Sequence, residues 1–424
     1  MPVHDEELPD MSAPHHPTII THHHHPPPSP PVTLRHACPA CHAAHTVAPQ
    51  AREGDPTSMS TPSPLHAVHE ALGASFTDFA GWAMPLRYGS ELAEHKAVRT
   101  AAGLFDLSHM GEIELTGPEA ARALDYALVG KLSAVKPGKA RYTMICDADG
   151  GVLDDLVVYR LAAEKYLVVA NASNGPAVAA ALRERAEEFD VTVDDRSADV
   201  ALIAVQGPTS AAIIGAVTDA DLDALAYYAS VPTTLAGHDV LLARTGYTGE
   251  DGFEVYVDGP LAADVWQALT AAGEPHGLVP AGLACRDTLR LEAGMPLYGN
   301  ELGADLTPFD AGLGRVVKFD KADGFVGQAA LERRRDADVP ERVLVGLVGT
   351  GRRAARHGYP VLDAGGAEIG TVTSGALSPT LGHPIALAYV PVAVSAPGTA
   401  LSVDIRGTVA PVEVVKLPFY QRPA

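Results

Sequence analysis

Two adjacent carboxylates, Asp154 and Asp155, lie in the middle of a segment that otherwise has the composition of a buried strand. The Asp-Ala-Asp-Gly-Gly run at 147–151 is typical of a tight turn, and the flanking residues are rich in Val, Leu and Tyr, so strands joined by turns are predicted. Because side chains alternate between the faces of a strand, only one of the two aspartates can face a given pocket.

A carboxylate among aliphatic neighbours is costly unless it is hydrogen-bonded or paired. One interpretation of the Asp154–Asp155 pair is therefore a carboxylate that lines a cleft for acid/base work or ligand orientation. The alternative is an edge strand with one aspartate in water and the other capping a neighbouring turn. The spacing alone does not separate these two interpretations.

Composition and charge exclude several classes of protein. The chain has 424 residues, of which 47% are hydrophobic and 20% charged, and this length predicts two or three globular domains. A formal net charge of −21 disfavours nucleic acid as the main partner. No apolar run is long enough to span a bilayer, and no signal peptide is recognised. A cytoplasmic location is predicted.

Residues 1–58 differ in composition from the rest of the chain. They contain His22–His25 and almost no periodic apolar pattern, which is typical of disorder. The sequence CPACH at 38–42 matches the form of covalent haem attachment and offers zinc ligands. Haem attachment of that type needs export, so a disordered tail is favoured over a metal- or haem-binding segment. Met59 is the predicted start of the folded protein, and residues 1–58 are either a tail or untranslated.

Strand-like and helix-like patterns alternate twice in the central part of the chain. A strand-like segment at 112–117 leads into a helix that begins at Pro118, and a second one at 200–206 leads into a helix that begins at Pro208. Proline is favoured in the first turn of a helix. The repeated pattern predicts an α+β fold with helices on one face of antiparallel sheets.

This pattern also predicts the domain organisation. Residues 59–199 and 200–335 are predicted to form a first and a second α+β region lying side by side. Beyond Asp336 helical periodicity ends, and short strands alternate with Gly and Pro. Residues 336–424 are therefore predicted to form a separate C-terminal β-barrel domain.

Several common nucleotide and hydrolase motifs are absent or out of context. Residues 349–354, with the sequence GTGRRA, follow a predicted strand and formally resemble a dinucleotide fingerprint. Gly358 and Pro360 interrupt the helix that such a fingerprint needs, so it is discounted. No phosphate-binding P-loop, H-E-x-x-H or G-x-S-x-G motif occurs in the sequence.

Two further segments have the composition of functional sites. Residues 245–254 form a polar, glycine-rich stretch that leads into a strand, and such loops let the backbone approach a ligand; the alternative is a hairpin turn. Arg286 and Arg290 are four residues apart on a predicted helix and can clamp a carboxylate or a planar heterocycle. The alternative for this pair is a surface ladder of ion pairs.

Six motifs occur in the same order as in one enzyme family. Together they resemble the T-protein of the glycine cleavage system, the tetrahydrofolate-dependent aminomethyltransferase, from about residue 61 to the C-terminus. The resemblance implies three domains arranged like a cloverleaf around a central folate channel, the third being a β-barrel. The motifs are FAGWAMPLRYG at 79–89, LFDLSHMGE at 104–112, GGVLDD at 150–155, GYTGEDG at 246–252, RDTLRLEAG at 286–294 and TSGALSPTLG at 373–382.

The resemblance also implies site residues. Asp154 matches the first aspartate of the family's pair, and we expect it to be the catalytic carboxylate that contacts the folate nitrogens. Glu254 and Arg286 match the folate-binding glutamate and arginine. Tyr142, Asn171 and Met110 resemble other residues that line the folate channel. No metal is expected.

The implied reaction has two substrates. The lipoyl arm of H-protein delivers an aminomethyl group, tetrahydrofolate takes the carbon as 5,10-methylenetetrahydrofolate, and ammonia is released. Two alternatives share the fold: a folate-dependent demethylase or other one-carbon transferase, and a non-catalytic folate-binding factor of iron–sulfur cluster maturation. The Lys-Gly-Cys-Tyr type motif of that factor does not occur in this chain.

Overall fold

The structure, a computed structural model, describes residues 60–337 and 341–423. The predicted tail at 1–58, with its CPACH segment, lies outside the described residues. No helix in the described ranges is long and apolar enough to cross a membrane.

The described residues contain twenty strands and eight α-helices. The strands are β1 (Thr61–Pro62), β2 (Ser75–Phe79), β3 (Trp82–Arg87), β4 (Ala102–Asp106), β5 (Gly111–Thr116), β6 (Lys139–Cys146), β7 (Val152–Ala162), β8 (Lys165–Ala170), β9 (Thr192–Asp195), β10 (Val200–Gln206), β11 (Ser230–Leu235), β12 (His238–Ala243), β13 (Gly252–Asp258), β14 (Leu278–Pro280), β15 (Arg342–Gly349), β16 (Pro360–Leu362), β17 (Glu368–Leu377), β18 (Pro384–Pro391), β19 (Ala400–Ile405) and β20 (Thr408–Val415). The helices are α1 (His66–Ala71), α2 (Glu91–Thr100), α3 (Ala120–Ala127), α4 (Gly175–Ala186), α5 (Ser210–Gly215), α6 (Ala262–Gly273), α7 (Leu283–Glu292) and α8 (Gln328–Asp336).

Two large sheets form the centre of the molecule. The five-stranded sheet has the order β6-β7-β8-β5-β9 and is antiparallel throughout. The six-stranded sheet has the order β11-β12-β13-β10-β4-β14, in which only β14 and β4 pair in parallel. A small sheet, β1-β3-β2, precedes them. Strand β4 lies before residue 199 in the chain but belongs to the six-stranded sheet. This sheet therefore takes strands from both predicted α+β regions. The domain boundary at 199/200 stays a prediction.

Both large sheets have helices on one face and meet at the other. A core that includes Leu156 and Leu182 lies between the five-stranded sheet and helices α3 and α4. A second core, which includes Trp266, lies between the six-stranded sheet and helices α5 and α6. A third core joins residues of both sheets, among them Val169 and Leu202. The two sheets are therefore packed against each other through this third core.

The same strand–Gly–Pro–helix unit occurs in each sheet. Gly117 and Pro118 connect β5 to α3, and Gly207 and Pro208 connect β10 to α5. Gly117 has φ +151° and Gly207 has φ +138°, a region that L-residues with a Cβ rarely adopt. A Cβ at Gly207 would also overlap the carbonyl oxygen of Ala101. These turns need glycine for both conformation and space.

The C-terminal domain is a closed barrel with the strand order β15-β18-β17-β16-β19-β20. Its interior is filled by aliphatic side chains such as Leu347, Val361 and Val403. The predicted α+β fold with antiparallel sheets and a C-terminal β-barrel is confirmed. Residues 350–354 form no helix, in agreement with the discounted dinucleotide fingerprint.

A buried carboxylate at the end of α7 joins the barrel to the large sheets. Glu292 accepts hydrogen bonds from Ser378 Oγ at 2.5 Å and from the backbone N–H of Thr380 at 3.0 Å, both in the loop that follows β17. Arg99 Nη2 lies 2.9 Å from the same carboxylate. Burial raises the pKa of Glu292. The hydrogen bond and the ion pair with His95, together with the hydrogen bond from Ser378, outweigh burial and lower this pKa to about 2.

We expect Gly207→Ala to destabilise the fold by about 1–3 kcal/mol from backbone strain alone, with a further loss from the overlap with Ala101. Gly237 provides a matched control, because it has φ +84° but no atom within 4 Å of the added Cβ. Urea unfolding of both variants measures the difference. Equal losses of unfolding free energy would contradict the importance of the close approach at Gly207.

Candidate active site

A cavity of about 330 Å³ lies where the two large sheets meet. Asp155 on β7 and Asn171 after β8 line it from the five-stranded sheet, and Glu254 on β13 lines it from the six-stranded sheet. Arg286 on α7 completes the polar part of the wall. Most of the remaining lining is apolar or aromatic, which is typical of a small-molecule site with a few orienting polar groups.

All five side chains that the sequence predicts to bind folate line this cavity. They come from five separate segments of the chain, and the folding of both sheets and α7 brings them together. Their roles in binding stay predictions. The residues are Met110, Tyr142, Asn171, Glu254 and Arg286.

The predicted catalytic Asp154 is not part of the cavity wall, whereas Asp155 is. Asp154 is fully buried on the other face of β7, the face whose Leu156 and Val158 pack under the helices. The alternation of β7 therefore places one aspartate on each face, as the sequence predicts. The expectation that Asp154 contacts the ligand directly needs correction, because the strand turns Asp155 toward the cavity instead.

Two donors hold the carboxylate of Asp155. Tyr142 Oη donates to Oδ2 at 3.0 Å, and Asn171 Nδ2 donates to Oδ1 at 2.9 Å. Burial raises the pKa of Asp155, and these two hydrogen bonds and the charge of Arg286 offset the rise only in part. A desolvated carboxylate with a raised pKa is suited to proton transfer near neutral pH.

Glu254 lies in a network of hydroxyl groups. Tyr159 Oη donates to its Oε2 at 3.2 Å, Thr245 Oγ1 donates to the same oxygen at 2.5 Å, and Tyr256 Oη donates to Tyr159 Oη at 3.3 Å. Burial raises the pKa of Glu254, and the bonds from Thr245 and Tyr159 act in the opposite direction. The network fixes the direction of the carboxylate at the cavity wall.

The two arginines of α7 have different environments. Arg290 is almost fully buried; it lies 3.0 Å from Glu301 and donates to Ser374 Oγ of the barrel at 2.7 Å. The guanidinium of Arg286 has no hydrogen bond or ion pair among the described residues and lies 4.6 Å from the centre of the Tyr247 ring. Burial lowers the pKa of Arg286. The two arginines therefore do not act together as a clamp: Arg286 lines the cavity, and Arg290 connects α7 to Glu301 and the barrel.

Sequence reasoning missed some of the cavity wall. Tyr228 lines the cavity with a positive φ of 57°, and no local motif marks it. Tyr247 lies in the glycine-rich stretch that the sequence predicts to be functional, but only the fold shows that its ring faces Arg286. Met295 and Pro296 also line the cavity, in the turn after α7.

Two protein-family models match the chain. The GCVT N-terminal domain matches residues 65–321, and the glycine cleavage T-protein C-terminal barrel domain matches residues 342–421. The chain belongs to the glycine cleavage T-protein family. The family that the six sequence motifs predict is thereby confirmed. The predicted enzyme class, an aminomethyltransferase, is confirmed by the names of the relatives that follow.

Relatives of this T-protein family member match most of the chain. The aminomethyltransferase of Saccharopolyspora erythraea is 64% identical over 368 residues, which cover 86% of this chain and 100% of that protein. The aminomethyltransferase of Streptomyces coelicolor is 66% identical over 362 residues, covering 84% of this chain and 97% of that protein. The crystal structure of glycine cleavage system aminomethyltransferase T from Bartonella henselae is 37% identical, with a TM-score of 0.80, and covers 86% of this chain and 99% of its own.

The two arginines of α7 allow a paired prediction. We expect Arg290→Gln to lower the free energy of unfolding by about 3–5 kcal/mol, because it leaves the buried Glu301 without its ion pair. Arg286→Gln removes a desolvated cation that has no ion pair or hydrogen bond among the described residues and acts on Asp155 and Glu254 only through its charge, so we expect a far smaller loss of stability. Urea unfolding of the two variants measures the contrast. A large destabilisation by Arg286→Gln would contradict this description of the cavity.

The pH dependence of stability tests the burial of Asp154. Burial, and then the charge of Asp155, raise the pKa of Asp154 from 3.8 to about 7. Protonation therefore stabilises the folded state, fully below pH 3.8, and this stabilisation is lost as the pH rises through about 7. We expect Asp154→Asn to remove a slope of up to about 1.4 kcal/mol per pH unit between these values. Denaturant unfolding of both proteins across this pH range measures the free energy of unfolding. Parallel curves of this free energy against pH would contradict the raised pKa of Asp154.

Proposed function

We propose that this chain transfers the methylene carbon of an aminomethyl group, carried on the lipoyl arm of H-protein, to tetrahydrofolate. The products are 5,10-methylenetetrahydrofolate, ammonia and the free lipoyl thiol. The cavity carries the proposal, because Asp155, Glu254 and Arg286 converge in a desolvated space between the two sheets. The names of the matched relatives and of the matched crystal structure favour this aminomethyltransferase over the demethylase and iron–sulfur alternatives.

Glu254 and Arg286 provide complementary recognition for a folate. An ionised carboxylate accepts hydrogen bonds from N–H groups, and a guanidinium donates to carboxylate or carbonyl oxygens. Arg286 stacks on the Tyr247 ring but has no hydrogen bond or ion pair among the described residues, so its N–H donors are available to the ligand. Tyr142, Tyr247 and Met110 supply flat or apolar surface on the same wall.

Asp155 is the carboxylate in position to assist the chemistry. In the transfer, two C–N bonds to folate nitrogens form while the C–N bond to the amine and the C–S bond to the lipoyl group break. Two folate N–H protons leave, one for the departing amine and one for the departing sulfur. Asp155 orients the attacking nitrogen and accepts or returns a proton, an assistance that contributes about 10²–10⁴-fold in other enzymes. The proposal requires no metal.

The partners belong to the same proposal. Tetrahydrofolate is the co-substrate, the lipoylated H-protein is the donor, and a cytoplasmic location stays a prediction. The cavity is formed by the two large sheets, α7 and the turns around it, so the lipoyl arm must reach between the sheets to deliver the carbon.

Asp155→Asn in the full chain tests the function. We expect kcat for ammonia release and methylenetetrahydrofolate formation from aminomethyl-lipoyl H-protein to fall by about 10²–10⁴-fold. Arg286→Gln should instead weaken tetrahydrofolate binding by about 10–100-fold, because it removes charged hydrogen bonds. Asp149→Asn, on the exposed turn before β7, serves as the control. Turnover without folate, or normal turnover of Asp155→Asn, would refute the proposal.

A further inference from the structure

Asp154 is a buried carboxylate without a cation. Its side chain is fully buried, and no Lys, Arg or His among the described residues pairs with it. Burial and the charge of the neighbouring Asp155 both act against its ionised form. Only hydrogen bonds from amide groups compensate, so the contacts that these amides make elsewhere indicate what Asp154 does.

Three N–H groups from one turn donate to Asp154. The backbone N–H of Asn171 donates to Oδ2 at 2.9 Å, and its side-chain Nδ2 donates to Oδ1 at 2.8 Å. Asn174 Nδ2 donates to Oδ1 at 2.8 Å. Both asparagines lie in the turn between β8 and α4, and this turn contributes Asn171 to the cavity wall. Asp154 therefore holds Asn171, a residue of the cavity wall, by hydrogen bonds from the face of β7 that is turned away from the cavity.

The direction of the Asn171 amide follows from its two acidic neighbours. Its Nδ2 donates to Asp154 and, at 2.9 Å, to Asp155 Oδ1. Nδ2 also donates to the backbone carbonyl oxygen of Asp155 at 3.2 Å. A backbone carbonyl only accepts hydrogen bonds, whatever the protonation state of the carboxyls, so the NH₂ group must face the two aspartates. The amide oxygen then faces away from them. It accepts no hydrogen bond from the described residues, and it is not among their buried unpartnered atoms.

We propose that Asp154 is a positioning residue that fixes Asn171 so that its carbonyl oxygen, and not its NH₂ group, is presented to the ligand in the cavity. The inference rests on the proposed function and adds a selection rule to it. A ligand N–H group opposite Asn171 is accepted, and a ligand acceptor at that place is rejected. Asp155 alone cannot enforce this direction as strictly, because Tyr142 also supplies it with a donor.

The first test is Asp154→Asn, which keeps the shape of the side chain but adds a donor opposite the three N–H groups. We expect the Kd and KM for tetrahydrofolate to rise about 10-fold, as for the loss of a hydrogen bond, while kcat falls far less than in Asp155→Asn. Circular dichroism and thermal unfolding verify that the variant is folded. Unchanged Kd and KM values in a folded variant would overturn the inference.

A double-mutant cycle separates positioning from a general structural role. If Asp154 acts through Asn171, then Asp154→Asn causes no further loss of tetrahydrofolate affinity in an Asn171→Ala background. Additive losses would show that Asp154 acts by another route and would overturn the inference. If Asp154→Asn does not fold, Asn174→Ala takes its place, because it removes one donor from Asp154 without changing the cavity wall. A rise in Kd that disappears in the Asn171→Ala background supports the proposal; no rise, or one that persists, overturns it.

The two proposals fail in different ways. A wild-type chain that binds tetrahydrofolate but releases no ammonia from aminomethyl-lipoyl H-protein contradicts the proposed reaction, while the double-mutant cycle of tetrahydrofolate Kd values still tests the role of Asp154. A wild-type chain that turns over normally, with no change of Kd in Asp154→Asn, contradicts only the positioning role.

Discussion

The site depends on a single amide group that must satisfy two adjacent carboxylates. The alternation of β7 places Asp154 under the helices and Asp155 in the cavity, and neither has a cation within hydrogen-bonding distance among the described residues. Asn171 Nδ2 lies between them at 2.8 and 2.9 Å. This donor, with Asn174 and Tyr142, compensates part of the cost of burying two adjacent carboxyl groups on one strand. The positions of Asn171 and Asp155 in the cavity wall follow from that arrangement.

The cavity exists because two similar sheets are packed against each other. Each contains a strand followed by Gly and Pro and then a helix on the outer face, at residues 116–120 and 206–210. The helices cover one face of each sheet, so the uncovered faces meet. Tyr159 and Tyr256, one from each sheet, contact each other there, with their rings 5.7 Å apart. Glu254 is oriented at this junction by its hydrogen bonds from Tyr159 and Thr245.

The sequence predicts the classes of element well and the facing of side chains less well. The helices that follow Gly-Pro at 117–118 and 207–208, the turn at 147–151 and the barrel strands follow from local chemistry. The two helices begin at Ala120 and Ser210, however, and not at the prolines. The choice between Asp154 and Asp155 does not, because β7 is buried on both faces and its apolar pattern gives no direction. Tyr228 was missed for a related reason, since it reaches the cavity from an irregular segment. The different environments of Arg286 and Arg290 depend on contacts with the barrel, which is distant in sequence.

The barrel contributes no side chain to the cavity among the described residues, yet it is attached to the helix that carries Arg286. Arg290 and Glu292, on the same helix, are held by Ser374, Ser378 and Thr380 of the barrel and its loop. These contacts with the barrel restrain the position and the rotation of α7 next to the cavity. A substitution in that remote loop would therefore act on the position of Arg286 while every residue of the cavity wall stays the same.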